Sequence, residues 1–162
     1  MRIYLMQHGV CLPKEVDPEQ GLSPVGREEV ETTARAVARM GIGFTDIFAS
    51  PKKRALQTAR LMALVAGYPE EDVLVHEDIT ARTEPERTLR RLQELATGSS
   101  LLVCGHLPNL NLVACRLLTP GPDFKIAIKN AGLICLSMDR LPTNSASLEW
   151  QLRPEQLLEL AG

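Results

Sequence analysis

The stretch Leu101-Leu102-Val103-Cys104-Gly105-His106-Leu107-Pro108 decides the fold. Four consecutive apolar residues without alternation are what a strand buried on both faces requires. Gly105 and His106 break the run, and the proline after them opens a helix that continues through Leu118. A strand handed to a helix through a short polar turn is the repeating unit of an α/β sheet.

The same unit recurs on either side. Upstream, Ile3 to Met6 predicts a strand broken by Gln7-His8-Gly9, followed by a polar loop to about Gly21. Ser23-Pro24 then predicts an N-cap with proline at the first helical position, and Val30, Ala34, Val37 and Ala38 carry an apolar stripe that stops near Gly41. Ile47-Phe48-Ala49 predicts a second strand, with Ser50-Pro51 as cap and first-turn proline of a helix closed by Gly67. Val73 to Val75 is a weaker strand, followed by an acidic loop and a helix from Pro85 to about Ala96 whose buried side carries Leu89, Leu92 and Leu95. Downstream, Gly132 to Met138 and Leu148 to Leu152 predict a hairpin at a sheet edge, and Pro154 to Leu160 a short closing helix.

Alternation of this kind predicts an α/β fold: a three-layer αβα sandwich with a mainly parallel central sheet and helices on both faces. At 162 residues, 44% hydrophobic and 23% charged, the chain has the size and apolar content of one domain with one sizeable core, spanning 1–162. A net charge of -2 with interspersed signs lacks the basic footprint of a nucleic-acid binder. No apolar stretch approaches the ~20 residues of a membrane span, and the first six residues turn polar too soon for a signal peptide. A cytoplasmic protein is expected, with no membrane and no nucleic acid among its partners. Cys11, Cys104, Cys115 and Cys135 lack the spacing of a zinc site or a redox dithiol, and are expected to be buried, reduced thiols.

In open α/β sheets ligands bind beyond the carboxyl ends of the strands. Three predicted strands end there in polar residues: Gln7-His8-Gly9, Ser50 to Arg54, and Gly105-His106. Two of the three histidines in the chain and a guanidinium therefore converge; the third, His76, follows the weak strand. Taken singly, a histidine at a strand end is ordinarily a hydrogen-bonded structural residue, and an arginine in a first helical turn a solvated charge. Together they favour a phosphate or carboxylate site, since Arg54 adds a two-pronged donor where free helix-start N–H groups already attract anions. Glycine beside each histidine would let the backbone approach a ligand closely.

These residues resemble the histidine phosphatase superfamily, with its phosphoglycerate mutase-like fold, and within it the SixA-like branch of phosphohistidine phosphatases. The matching blocks are I-Y-L-M-Q-H-G around His8, L-S-P-V-G from Leu22 to Gly26, F-A-S-P-K-K-R-A-L-Q-T from Phe48 to Thr58, and L-V-C-G-H-L-P from Leu102 to Pro108. The resemblance implies that His8 is a nucleophile that becomes phosphorylated, that Arg54 clamps the phosphoryl oxygens, and that His106 stabilises their charge. Gln7, His8, Arg54 and His106 would form the phosphate-binding set, with no metal and no cofactor. The substrate would be a phosphorylated protein domain or a small phosphorylated molecule.

The family has R-H-G where this chain has Gln7-His8-Gly9, so the clamp keeps a hydrogen-bond donor and loses a positive charge. A further arginine that SixA-like proteins can carry falls here on Gln20-Gly21. Lys14, Lys52, Lys53 and Arg82 are nearby cations, but lysines at a helix start are ordinarily solvated, and none is assigned a binding role. Glu77, Asp78 and Glu84 occupy the loop where many superfamily members carry a proton donor, without that motif around them. A phosphoramidate, whose leaving nitrogen is readily protonated, suits such a site better than an alkyl phosphate. Two alternatives stand beside the phosphohistidine phosphatase: a small-metabolite phosphomonoesterase, and a phosphate-binding regulatory module weakened at Gln7.

Overall fold

The computed structural model describes residues 1–162. Its six strands are β1 (Arg2–Gln7), β2 (Asp46–Ala49), β3 (Leu74–Val75), β4 (Ser100–Gly105), β5 (Leu133–Ser137) and β6 (Ser147–Leu152). They lie in the order β3-β2-β4-β1-β5-β6. The helices are α1 (Pro24–Arg39), α2 (Lys53–Ala66), α3 (Pro85–Leu95), α4 (Asn109–Leu118) and α5 (Pro154–Ala161).

Burial on both faces explains the unbroken apolar run of β4. Leu101 and Val103 join Ile3, Leu5 and Phe48 in a core that includes Leu92 of α3 and Leu110 and Leu117 of α4. Leu102 and Cys104 point the other way, with Tyr4, Met6 and Ile47, onto Val30, Ala34, Ala59 and Ala63 of α1 and α2. The period-2 geometry of a strand thus divides its residues between two helical layers. The small alanines let α1 and α2 lie close against the sheet.

The sheet is mixed, and the expectation of a mainly parallel one is corrected here. β3, β2, β4 and β1 pair in parallel, whereas β1–β5 and β5–β6 are antiparallel. The cause is the segment after α4, which climbs back along the helix that has just descended. Arg116 bonds Asp123, the Asn111 side chain bonds both Phe124 and Ile126, and Asn130 ends beside His8. The chain therefore re-enters the sheet at the end where β1 stops. The expected hairpin is present, with β6 as the edge.

Ser23 caps α1 as expected, accepting from the Gly26 N–H at 3.0 Å with Pro24 in the first turn. The second expected cap is not formed. α2 begins at Lys53 with Lys52 as its N-cap residue and no side-chain cap bond, because Ser50 is engaged elsewhere. No helix is long and apolar enough to cross a membrane.

Candidate active site

His8 leaves the end of β1 held on every side by backbone bonds. Its N–H donates to the Gly105 carbonyl at 3.1 Å, and its own carbonyl accepts from Asn130 Nδ2 at 2.8 Å. The next N–H, that of Gly9, donates to Thr58 Oγ1 at 3.1 Å, and the Thr58 hydroxyl donates to the Arg54 carbonyl at 2.8 Å. Thr58 thereby fastens the nucleophile loop to the helix that carries the guanidinium. Gly9 and Gly26 are where the loop crosses the start of α1. A Cβ on Gly26 would sit 2.0 Å from the Val10 carbonyl oxygen, and one on Gly9 would lie 2.7 Å from a Val30 methyl and 2.8 Å from the Gly26 carbonyl. Gly9 is thus required by backbone packing, a firmer reason than closeness to a ligand.

The ring of His8 is oriented for chemistry at Nε2. Nδ1 lies 2.7 Å from the Gly9 carbonyl, which can only accept, so Nδ1 carries the proton and Nε2 the lone pair. Arg54 Nε donates to that lone pair at 3.1 Å. His106 stands alongside, its ring centroid 5.0 Å from that of His8. Its Nε2 is 2.8 Å from Ser50 Oγ, which also accepts from the Lys52 N–H at 3.3 Å. Ser50 is fully buried, and His106 Nε2 is the acceptor its hydroxyl proton reaches. The network therefore assigns the His106 proton to Nδ1, leaving that N–H as the ring's free donor.

Both imidazoles are held neutral. Burial pushes the His8 ring below the usual histidine range, with Arg54 adding to the push and the Gly9 carbonyl opposing it. His106 is driven down to about 3 by burial first, then by His8, Arg54 and Lys52. A neutral imidazole with an exposed lone pair is a competent nucleophile. A guanidinium and a neutral N–H donor beside it are the groups that take up charge on a transferring phosphoryl oxygen.

The structure brings His8, Arg54 and His106 together, and places Gln7 at the end of β1 in register with Gly105. It separates the three acidic candidates. Asp78 is buried, bonded by Arg91 Nε at 3.0 Å and ion-paired with Arg87 at 2.5 Å and with His76 at 3.4 Å. Burial alone would raise its carboxyl, but Arg91, Arg87 and His76 hold it below the usual carboxylate range. It is a structural anion. Glu77 and Glu84 are exposed. Among the nearby cations, Lys53 is held by Asp17 at 3.0 Å and Glu19 at 3.3 Å. Three cysteines are buried and free; Cys11 is free but only half-buried, short of the burial expected of it. No three His, Cys, Asp or Glu side chains gather as a metal ion would require.

Ser50, Thr58 and Asn130 were missed as site residues by reading the sequence. Thr58 lies one turn after Arg54 inside the quoted block, a spacing that places both on one helix face and could have signalled it. Asn130 has no such local signal.

An αβα sandwich thus carries a guanidinium and two neighbouring histidines together at the carboxyl ends of its parallel strands. Residues 3–79 match the family described as histidine phosphatase superfamily (branch 1). The fold of the chain is that of the protein histidine phosphatase SixA in complex with tungstate, with a TM-score of 0.82 over 97% of this chain and 99% of that one, at 24% identity. An uncharacterized protein of Picosynechococcus is 27% identical over 141 residues, 84% of each chain. The human 6-phosphofructo-2-kinase/fructose-2,6-bisphosphatase 4 is 32% identical over 95 residues, which make up 57% of this chain and 19% of that protein.

Proposed function

We propose that the protein is a phosphatase that cleaves phosphohistidine on a protein partner, or a small phosphoramidate, through a phosphohistidine at His8. The observation that carries this reading is the Nε2 lone pair of His8, set by the Nδ1–H bond to Gly9 and faced by Arg54. Arg54 would move from that lone pair onto the phosphoryl oxygens as substrate enters. Nε2 then attacks phosphorus, the substrate P–N bond breaks, and the departing nitrogen leaves with a proton it has taken from solvent water. Water attacks the phosphorylated His8, releasing inorganic phosphate and restoring the imidazole. His106 Nδ1–H stabilises the oxygens in both steps.

The loop acids favour a nitrogen leaving group. Asp78 is spent on Arg87 and Arg91, while Glu77 and Glu84 face solvent. A P–N bond, whose nitrogen is basic, tolerates this better than an alkyl ester. Similarity to part of a fructose-2,6-bisphosphatase is the specific support for the second reading, a small-metabolite phosphomonoesterase. Gln7, in place of a second guanidinium, is the support for the third, a phosphate-binding module with weakened turnover.

The test is turnover of a phosphohistidine-bearing protein domain, small phosphoramidates and alkyl phosphates, with His8→Ala as blank and acid-quench detection of label on His8. Phosphoramidate turnover with label at His8 is expected. Wild-type rates equal to those of His8→Ala on every substrate remove the reading. Faster turnover of alkyl phosphates than of phosphoramidates moves it to the metabolite enzyme.

A further inference from the structure

A cleft of about 640 Å³ opens beside Arg54, between the start of α2 and the loop that follows β1. Lys14, Lys52, Lys53 and Arg54 line it, against Glu19 as the one acid among the lining residues. This concentration of positive charge stands out in a chain whose net charge is -2. Its lysines are not alike. Lys53 is tied to Asp17 and Glu19, while Lys14 and Lys52 are exposed and in no ion pair.

The wall carrying Lys14 is built rather than loose. Asp17 accepts from the Glu19 and Gly21 N–H groups at 3.1 and 2.9 Å and takes Lys53 as well. Leu12 N–H donates to the Gly21 carbonyl, and Leu22 N–H to Gln57 Oε1 at 2.7 Å. The loop is therefore pinned at both ends and to α2. On the opposite wall, Lys52 is tied to the inner site through its backbone, whose N–H donates to the Ser50 hydroxyl that bonds His106. Arg54 is at once a cleft residue and the partner of His8.

We propose that this cleft is a second anion subsite, in which Lys14 and Lys52 hold a carboxylate or phosphate carried by the leaving group of the substrate. The proposal rests on His8 as phosphoryl acceptor for its orientation, since the cleft then receives what departs from phosphorus. A dianionic phosphoryl group meets one guanidinium and two neutral imidazoles in the inner site, so further cations nearby have charge to neutralise. The second anion could be an acidic side chain flanking a phosphohistidine or a second phosphate on a small molecule.

The primary test needs no turnover. Binding of methylphosphonate and of methylenediphosphonate is measured by calorimetry on wild type, Lys14→Ala, Lys14→Ala/Lys52→Ala and, as a remote control for charge, Arg140→Ala. The bisphosphonate should bind wild type and Arg140→Ala at least about tenfold more tightly than the monophosphonate. That ratio should shrink in Lys14→Ala and fall to near one in the double variant. A ratio near one in wild type, or one unchanged in the double variant, overturns the proposal. A preserved ratio in a protein that turns over nothing defeats the phosphatase reading and leaves the subsite standing. KM then separates the sources: a Lys14-dependent drop for phosphohistidine peptides with acidic flanks over alanine flanks assigns a protein substrate, and one confined to small bis-anions assigns a metabolite. In a protein that does turn over substrate, a drop for neither also overturns the proposal.

Discussion

Ser50→Ala removes one hydroxyl and should cripple a residue it never touches covalently. The Ser50 hydroxyl bonds His106 Nε2 at 2.8 Å, in a position without solvent access, and so dictates that the His106 proton sits on Nδ1. Without it, Nε2 can take the proton and present a lone pair from Nδ1 toward the phosphoryl oxygens. The bias lost is that of one neutral hydrogen bond, about 1 kcal/mol, which lowers the tautomer ratio about fivefold and, with neither tautomer otherwise preferred, the donor-competent fraction a little under twofold. If the donor is lost outright, the transition state forfeits about 3 kcal/mol, or a hundredfold or more in kcat. The expected kcat for phosphoramidate hydrolysis therefore falls between these limits. Stability should also drop by about 1–3 kcal/mol, because the Lys52 N–H and His106 Nε2 lose a buried partner. Urea unfolding at pH 7 and stopped-flow detection of phosphorylated His8 measure the two effects separately. A folded Ser50→Ala with kcat equal to wild type refutes the assignment.

Thr58→Val keeps the shape of the side chain but orphans the Gly9 N–H; it should cost about 1–3 kcal/mol in urea unfolding and lower kcat more than it raises KM. Gly26→Ala places a methyl 2.0 Å from the Val10 carbonyl oxygen; calorimetry should show destabilisation of about 3 kcal/mol or more, with loss of His8 labelling. Between about pH 6.5 and 4.5 stability should fall with pH. The unfolded chain protonates its histidines there, while burial keeps His106 neutral down to about 3 and pushes the protonation of His8 to lower pH in the fold. Each can contribute at most about 1.4 kcal/mol per pH unit. A flat urea midpoint across that window, or a slope unchanged in His106→Gln, goes against it. Gln7→Arg should raise turnover by about tenfold or more, since it adds a charged donor to a clamp with one guanidinium; an unchanged rate places the limitation elsewhere.

How far the fold could be read from the chain depended on whether its causes were local. β4 was legible because double-sided burial demands an unbroken apolar run, and α1 because Ser23 and Pro24 act on the next three residues. The start of α2 was not, because Ser50, a cap residue by local rules, has its hydroxyl claimed by a histidine 56 positions away. The direction of β5 was hidden for the same reason. Between residues 119 and 132 Phe124, Ile126 and Ile128 alternate with Lys125, Ala127 and Lys129, but that alternation carries no direction, and the upward course is set by contacts with Asn111 and Arg116 on a helix already formed. At the site, His8, Arg54 and His106 showed themselves because strand ends converge in any such sheet. Thr58 and Asn130 act through backbone groups 49 and 122 residues distant, which no spacing rule reports.

The charge balance of the site links its parts. Free, the inner site holds one positive group, Arg54, and that group occupies the lone pair of His8. In the proposed reaction an arriving phosphoryl dianion would draw the guanidinium away and so expose the Nε2 lone pair only when there is something to attack. Burial first, then His8, Arg54 and Lys52, keep His106 neutral, so it enters the site as a neutral N–H donor rather than as a cation. An arginine at position 7 would have supplied that charge permanently. With Gln7 there, Arg54 is the one cation of the inner site, and Lys14 and Lys52 at the mouth are the cations left to answer further negative charge. Substrates rich in negative charge should therefore gain most.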